Sequence, residues 1–192
     1  MALPSEKESL SYAQYLLLGA DIRYEVIDGK IYNMSPSPTP RHQDVVTQLS
    51  VEFGLFLRGK KCRVFVSPID VCLSDERDLY EVKEWVSPDL VVVCDKSRIG
   101  NKRIVGSPDL VIEVLSPSTA KNDKLIKYNR YERAGIKEYW IVDPTHKTVD
   151  VYLLDNGSYT HNGTYFKEDV ISVSIFESCS IELNQIFRDE DY

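Results

Sequence analysis

Two Pro-Asp pairs stand immediately before short apolar runs, and the second run contains a glutamate. The pairs are Pro88-Asp89 and Pro108-Asp109, and the glutamate is Glu113, which apolar residues flank in LVIEVL. Asp109 and Glu113 would lie about 13 Å apart along one extended strand, which is too far to share a metal ion. If the two runs pair as antiparallel strands, Asp89 at the start of the first lies beside Glu113 near the end of the second. Antiparallel pairing therefore selects Asp89 and Glu113 as neighbours.

Two adjacent carboxylates predict a bound cation at this point. They repel each other unless a cation or a proton lies between them, and burying an unpaired Glu113 is costly. Hard cations bind carboxylate oxygens, backbone carbonyls and water. We therefore expect Mg²⁺ (or Mn²⁺) between Asp89 and Glu113. Such an ion, with a positive side chain nearby, is suited to the hydrolysis of a phosphodiester.

Three lysines follow Glu113 on a predicted helix and could supply that positive charge. Lys127 lies four residues before Tyr131, so both side chains share one helix face. Because Tyr131 is expected to face the core, Lys127 is expected to approach the sheet. Lys121 and Lys124 stand near the helix start, where the helix dipole disfavours cations. They are candidates for phosphate contacts, with plain solvent exposure as the alternative.

The elements that must position these residues alternate between helices and strands. The N-terminal patterning predicts a helix over 5–18 (capping box Ser5 and Glu8, stop at Gly19), a hairpin over 22–34 around Asp28-Gly29, and a helix opened by Thr39 and Pro40. The middle of the chain predicts strands over 62–73 interrupted at Ser67-Pro68, strands over 89–94 and 109–115, and a helix from Ser118 or Thr119 to Ala134 with Leu125, Tyr128 and Tyr131 inward. The remainder predicts a strand over 138–143, sheet-extending strands over 148–154, 158–166 and 169–176, and a short helix near 183–187.

This order predicts an α/β (α+β) fold with a mixed central β-sheet flanked by helices and extra antiparallel strands at both ends. The length of 192 residues predicts one domain, with an N-terminal helix in 1–20, a core in 21–145 and a C-terminal strand extension in 146–192.

Composition excludes several classes of protein. At 43% hydrophobic residues the chain can form a packed core, and its apolar runs are too short to span a membrane. The net charge of -7 argues against indiscriminate nucleic-acid binding, although 58–63 and 96–137 are locally basic and could hold a phosphate backbone. The start of the chain lacks a signal-peptide pattern, and no cysteine belongs to a CxxC pair. Cys72 and Cys94 lie in apolar runs and are expected to be reduced, which predicts a cytoplasmic protein.

Several of these segments together resemble the Uma-two family of endonucleases, which have the restriction-endonuclease-like PD-(D/E)XK fold. The resemblance rests on Asp89 after Pro88, on PDLVIEVLSPST (108–119), on Asp123, Lys127 and Tyr131, and on AGIKEYWIVDP (134–144). It extends to YEVIDGKIYNMSPSPTPRHQ (24–43) and SPIDVCLS (67–74), so it covers the chain from about residue 20 to 187. It implies a metal-dependent nuclease that acts on DNA.

The resemblance also implies roles for individual residues. Asp89 and Glu113 match the acidic residues of the motif, and the carbonyl of Val114 would be a further metal ligand. The usual motif lysine would stand two residues after the glutamate, where this chain has Leu115. The family's lysine on the following helix maps onto Lys127.

Two N-terminal residues match the family as well. Glu25 is implied as an extra acidic ligand, and His42 as a phosphate contact or helix cap. An alternative function is a non-cleaving nucleic-acid-binding or protein-interaction module on a nuclease-like fold, which would not need to bind Mg²⁺. Because cleavage of both DNA strands is simplest with two sites, we also expect a homodimer.

Overall fold

A computed structural model describes residues 10–18, 23–34, 38–117 and 119–188 of the chain. Its elements in chain order are α1 (Tyr12–Tyr15), β1 (Tyr24–Ile27), β2 (Lys30–Asn33), α2 (Pro40–Leu57), β3 (Arg63–Val66), β4 (Asp70–Cys72), β5 (Leu90–Val93), a 3-10 turn (Lys96–Arg98), β6 (Arg103–Val105), β7 (Leu110–Val114), a π-helical segment (Asn122–Lys127), α3 (Tyr128–Arg133), β8 (Glu138–Asp143), β9 (Thr148–Asp155), β10 (Ser158–Phe166), β11 (Val170–Ser172), β12 (Ser180–Glu182) and α4 (Leu183–Ile186).

Six strands form a mixed central sheet, as the sequence predicts. Their spatial order is β10-β9-β8-β7-β5-β3. β7 and β8 run parallel, whereas the other neighbouring pairs in this sheet are antiparallel. All residues of β5 and β7 are buried, because helices cover both faces of the sheet at its centre. The predicted α+β class with a mixed central sheet is confirmed.

Helix α2 covers one face of the sheet and brings its first turn to the strand ends. Thr39 caps it by accepting a hydrogen bond from the His42 backbone N–H at 3.2 Å, and Pro40 occupies the first turn, as predicted. Its apolar side packs on the sheet through buried Leu49 and Phe53. This packing places His42 near the carboxyl end of β7.

The segment after β7 covers the opposite face, but its helical periodicity differs from the prediction. Residues 122–127 form a π-helical segment before α3 begins at Tyr128. The wider turn directs Asp123 and Lys127 inward and leaves Leu125 56% exposed, so the predicted inward position of Leu125 is wrong. Tyr131 is fully buried, as expected.

The N-terminal hairpin docks on the core through Trp85. Asp28 and Gly29 form its predicted two-residue turn, both with positive φ. The Trp85 indole donates to the Tyr24 carbonyl at 2.8 Å, and Val26 forms a bridge with Trp85. The described part of the predicted first helix is shorter than expected, with α1 capped by Ser11. Its predicted capping box at Ser5 and Glu8 and its stop at Gly19 lie outside the described residues, as does Ser118.

Two further strand assignments depart from the prediction. The predicted loop between β5 and β7 contains β6, which pairs with β4 in parallel. β11 pairs with β12 instead of extending the central sheet. Sheet membership depends on contacts between distant segments, which local patterning does not encode. Among the described residues, no helix is long and apolar enough to cross a membrane.

One cysteine prediction is wrong. Cys62 and Cys94 form a disulfide, whereas Cys72 and Cys179 are free and buried. The pairing follows from the β3–β5 register, in which Arg63 lies opposite Val93 and the two cysteines are the next pair. A separation of 32 residues with no local motif gave no sign of this contact.

Candidate active site

Asp89 and Glu113 lie on neighbouring antiparallel strands at one end of the sheet. Leu90 pairs with Ile112, so the register continues to Asp89 opposite Glu113. The Asp89 carboxylate also accepts a hydrogen bond from the Val114 backbone N–H at 2.8 Å. The two carboxylates predicted as neighbours are therefore brought together by β5 and β7.

Lys127 reaches this pair from the π-helical segment. Its Nζ lies 3.0 Å from Glu113 Oε1, 2.8 Å from Glu25 Oε1 and 3.7 Å from Asp123 Oδ1. The π-helical turn directs Lys127 inward. The ammonium group beside Glu113 thus comes from the segment after β7 and not from the strand position of Leu115.

Glu25 enters the cluster from the N-terminal hairpin. Besides contacting Lys127, its Oε1 accepts a hydrogen bond from the Ser87 backbone N–H at 2.8 Å. Ser87 lies just before β5, so this contact ties the hairpin to the strand that carries Asp89. Glu25 thus holds two parts of the site together.

Sequence reasoning missed the contact that Tyr131 makes with the cluster. The Tyr131 hydroxyl donates a hydrogen bond of 2.7 Å to Glu113 Oε1, the oxygen that also contacts Lys127. The spacing of Lys127 and Tyr131 on one helix face was the available signal. On its own that spacing predicts core packing, because a tyrosine on the inner face of a helix is usually buried for its ring.

His42 contacts Asp89 beside the end of β7. Its Nε2 lies 3.3 Å from Asp89 Oδ2, the oxygen that also accepts from the Val114 backbone N–H. The buried Nδ1 of His42 has no hydrogen-bond partner. Burial lowers the pKa of His42, but the hydrogen bond and charge of Asp89 and the nearby Val114 backbone outweigh it and raise the pKa overall.

The charges of this cluster shift the pKa values of its members strongly. Burial raises the pKa of Glu113 well above its usual value, Lys127 opposes this, and the charges of Asp123, Asp89 and Glu25 add to it. For Lys127, burial lowers the pKa, but Glu113, Glu25 and Asp123 raise it well above its usual value. The acidic neighbours of Lys127 thus favour its charged form, while burial disfavours the charged form of Glu113.

Asp109 lies outside this cluster. It stands at the start of β7, where its carboxylate accepts from the Cys94 backbone N–H at 2.8 Å and pairs with Lys137 at 2.7 Å. These contacts tie the start of β7 to the Cys94 backbone and to Lys137. The observed geometry agrees with the selection of Asp89, and not Asp109, as the neighbour of Glu113.

A family model described as "Putative restriction endonuclease", Uma2, matches residues 11–184. The chain belongs to the Uma2 family. The predicted family resemblance is confirmed, and it places the chain in a nuclease-like class of proteins.

Two similar proteins accompany this match to the Uma2 family. An uncharacterised protein of Synechocystis sp. (strain ATCC 27184 / PCC 6803 / Kazusa), slr1290, is 28% identical over 131 residues, which are 68% of this chain and 65% of that protein. The chain thus spans less than two thirds of that relative. A crystal structure of a putative nuclease belonging to DUF820 from Anabaena variabilis ATCC 29413 has a TM-score of 0.69 and 20% identity, covering 93% of this chain and 97% of that one. This likeness shows that the two chains share a fold.

The residues at the strand ends fit the divalent ion that the Uma2 resemblance implies. Among the described residues, no three His, Cys, Asp or Glu side chains form a ready metal cage. The fitting donors are instead two carboxylates, Asp89 and Glu113, and the Val114 carbonyl, all hard oxygen donors. Lys127 donates to Glu113 Oε1, His42 Nε2 lies 3.3 Å from Asp89 Oδ2, and buried Asp123 Oδ1 has no hydrogen-bond partner. The cluster therefore holds more negative charge and acceptors than its own N–H groups satisfy.

Most of the basic residues expected to hold a phosphate backbone lie away from this site. Arg63 is opposite Val93, about 14 Å along β5 from Asp89, so the predicted 58–63 stretch is at the other end of the sheet. In the 96–137 stretch, Arg130 pairs with Glu84 at 2.7 Å and Lys137 pairs with Asp109. The density of charge along the sequence did not indicate which cations lie at the end of the sheet that carries Asp89 and Glu113.

Proposed function

We propose that this protein is a Mg²⁺- or Mn²⁺-dependent endonuclease that hydrolyses phosphodiester bonds in DNA, acting as a single restriction-endonuclease-like domain. One observation carries the proposal. Asp89 and Glu113 are opposite each other at a strand end, and Lys127 Nζ lies 3.0 Å from Glu113. The family description and the fold of the Anabaena protein support the nuclease class.

Asp89, Glu113 and the Val114 carbonyl would hold the ion, with Glu25 nearby as the implied extra acidic residue. When bound, such an ion lowers the pKa of a coordinated water and polarises the scissile phosphate. Lys127 keeps its proton and offers a fixed positive charge, which suits it to orient the attacking water or to stabilise charge on the phosphate. The network around Lys127 holds this ammonium in place before substrate arrives.

Three neighbours position these groups. Glu25 and Tyr131 bind the Lys127 ammonium and Glu113 respectively, at 2.8 and 2.7 Å. His42 Nε2 lies 3.3 Å from Asp89 Oδ2, so its ring orients one of the three metal donors. If an ion occupied that carboxylate, the same N–H would be suited to contact the phosphate of the substrate.

The test combines metal titration with cleavage. Calorimetry with Mg²⁺ and with Mn²⁺ is performed on the wild type, on Glu113→Gln and on Asp109→Asn, alongside nicking of supercoiled plasmid. We expect Glu113→Gln to lose both metal binding and nicking while keeping its fold, checked by circular dichroism. Asp109→Asn is the matched control, since it removes a carboxylate from the same strand at the far end.

The outcomes separate this proposal from the non-catalytic alternative. Metal-dependent nicking that disappears in Glu113→Gln supports the endonuclease. A folded wild type that binds neither ion and cuts no plasmid would refute the endonuclease proposal and favour the non-cleaving binding module.

The proposal extends to assembly and location. Two copies in a homodimer would place two sites on one duplex, and sedimentation velocity with and without a duplex measures this directly. The Cys62–Cys94 disulfide removes the reduced-cysteine argument for a cytoplasmic location. We propose that location from the DNA substrate alone, and cell fractionation of a tagged chain tests it.

A further inference from the structure

Arg23 stands at the start of the N-terminal hairpin, on the side of the strand that faces the candidate active site. The hairpin pairing continues to it, because the Met34 backbone N–H donates to the Arg23 carbonyl at 3.2 Å. Residues two apart on an extended strand face the same side, so Arg23 shares a side with Glu25. Both side chains meet Ser87: Glu25 accepts from its backbone N–H at 2.8 Å, and Arg23 Nη2 donates to its hydroxyl at 3.0 Å. Ser87 lies two residues before Asp89.

The direction of β1 carries Arg23 to the outer edge of the candidate active site. At the hairpin turn, Asp28 pairs with Arg133 of α3 at 2.7 Å. Nearer the start of β1, Glu25 pairs with Lys127, the ammonium of the catalytic cluster. Arg23 is two residues further in the same direction, about 7 Å beyond Glu25 along the strand. It therefore lies past the buried ammonium, on the side from which a substrate approaches.

Most of the N–H donors of Arg23 have no partner among the described residues. A guanidinium carries five such donors, and the Ser87 hydroxyl accepts from one of them. Within the same described part of the chain, no carboxylate forms an ion pair with Arg23. Burial raises the pKa of Asp70, which the hydrogen bond from Tyr12 and the charge of Arg23 counteract in part. The Asp70 carboxylate itself is bound by the Tyr12 hydroxyl, at 2.8 Å.

Ser87 holds the guanidinium in one direction. The residue is only 3% exposed, and its hydroxyl donates to the Ile69 carbonyl at 3.3 Å. Because the hydroxyl proton is used in this way, a lone pair of the same oxygen is left to accept from Arg23. Arg23 itself is half-buried. A guanidinium that is anchored through one N–H and otherwise unpaired is a preorganised fork for a planar or tetrahedral oxyanion.

We propose that Arg23 binds a phosphate group of the nucleic acid at the outer edge of the candidate active site, with Ser87 fixing the direction of its guanidinium. This inference rests on the proposed nuclease function and adds a substrate contact to the residues that hold the metal. The carboxylates of Glu25, Asp89 and Glu113 repel a polyanion. A cation at their edge offsets that repulsion where the backbone enters the site.

Binding is measured without cleavage. A short fluorescein-labelled duplex in EDTA is titrated by anisotropy with Glu113→Gln as the parent, and with the same protein carrying Arg23→Gln, over a series of salt concentrations. Arg23→Gln is expected to weaken binding and to reduce the slope of log K against log salt by about 0.9, because one phosphate contact is lost. Raising salt fourfold should then weaken the parent about 3.5-fold more than Arg23→Gln.

Three matched variants separate a phosphate contact from a structural role. Ser87→Ala removes the same hydrogen bond and keeps the charge, so it should leave the salt slope unchanged. Lys30→Gln removes one positive charge beside the turn of the same hairpin and should change neither affinity nor slope. Arg23→Lys keeps the charge but loses the planar fork, so it should keep the slope and bind more weakly than the parent.

The failures of the two proposals are distinguishable. If the parent binds the duplex and Arg23→Gln binds it with the same affinity and slope, the Arg23 contact is refuted and the nuclease proposal stands. If Ser87→Ala reduces the slope as much as Arg23→Gln does, Arg23 acts by tying the hairpin to the strand, and the contact is again refuted. If Arg23→Gln does not fold, Arg23→Lys decides, since an affinity equal to that of the parent overturns the contact. If the parent binds no duplex at the lowest salt, the nucleic-acid substrate and the Arg23 contact fail together.

Discussion

Removing the Lys127 ammonium should destabilise the protein strongly, because it is the counter-ion of a buried acidic cluster. In Lys127→Met, Glu113 and Glu25 lose contacts of 3.0 and 2.8 Å and remain almost inaccessible to solvent. Breaking a buried ion pair by removing one partner costs about 3–5 kcal/mol. Small domains have only about 5–15 kcal/mol of stability, so the loss is a large share of the total.

The assay is urea denaturation followed by tryptophan fluorescence, in EDTA so that no metal ion replaces the lost charge. Trp85 and Trp140 are fully buried, so unfolding changes their environment completely. The matched control is Lys124→Met, an exposed lysine on the same π-helical segment, for which we expect a change within about 0.5 kcal/mol.

A double mutant tests the electrostatic reasoning itself. Adding Glu113→Gln to Lys127→Met removes one of the stranded charges, so the combined cost should be smaller than the sum by about 1–3 kcal/mol. Equal losses for Lys127→Met and Lys124→Met, or strictly additive costs in the double mutant, would refute the account of Lys127 as a counter-ion.

Three further predictions concern other contacts. Tyr131→Phe removes the 2.7 Å hydrogen bond to Glu113 and should cost about 1.5–3 kcal/mol in urea denaturation; a cost near zero would show that the bond is not made. Reducing the Cys62–Cys94 disulfide should lower the unfolding free energy by about 3–4 kcal/mol for a closed loop of this length, and a melting temperature unchanged by reductant would mean that the pair is not formed in solution. Burial raises the pKa of Glu138 above 4.5 despite its hydrogen bonds, so its contribution to stability is present below that pH and is lost as pH rises through the folded-state pKa. Glu138→Gln should therefore lose less stability than the wild type between pH 4.5 and neutrality, and parallel melting curves across that range would contradict this.

Local sequence patterns predicted the elements whose formation depends on neighbouring residues. Asp28-Gly29 supplies the positive φ of a two-residue hairpin turn, and Thr39 with Pro40 satisfies the start of α2, so both were recognised correctly. The pairing of Asp89 with Glu113 was also predictable, since antiparallel strands bring a start beside an end. Buried Glu113 in an apolar strand was itself the signal that a charge had to be compensated there.

Features that depend on contacts between distant segments were not predictable in the same way. A π-helical turn changes which side chains face inward, so Leu125 is exposed where a regular helix would have buried it. The Cys62–Cys94 disulfide follows from the register of β3 against β5, which joins cysteines separated by 32 positions in the sequence.

The amino-acid sequence by itself thus determined the family, the type of fold and the acidic pair, because these depend on residue types at short spacings and on one strand pairing. Only the tertiary structure decided which cations stand beside that pair. Lys127 reaches Glu113 while Arg63 lies at the other end of the sheet, because strand direction and helix register set distances through space that separation along the chain does not.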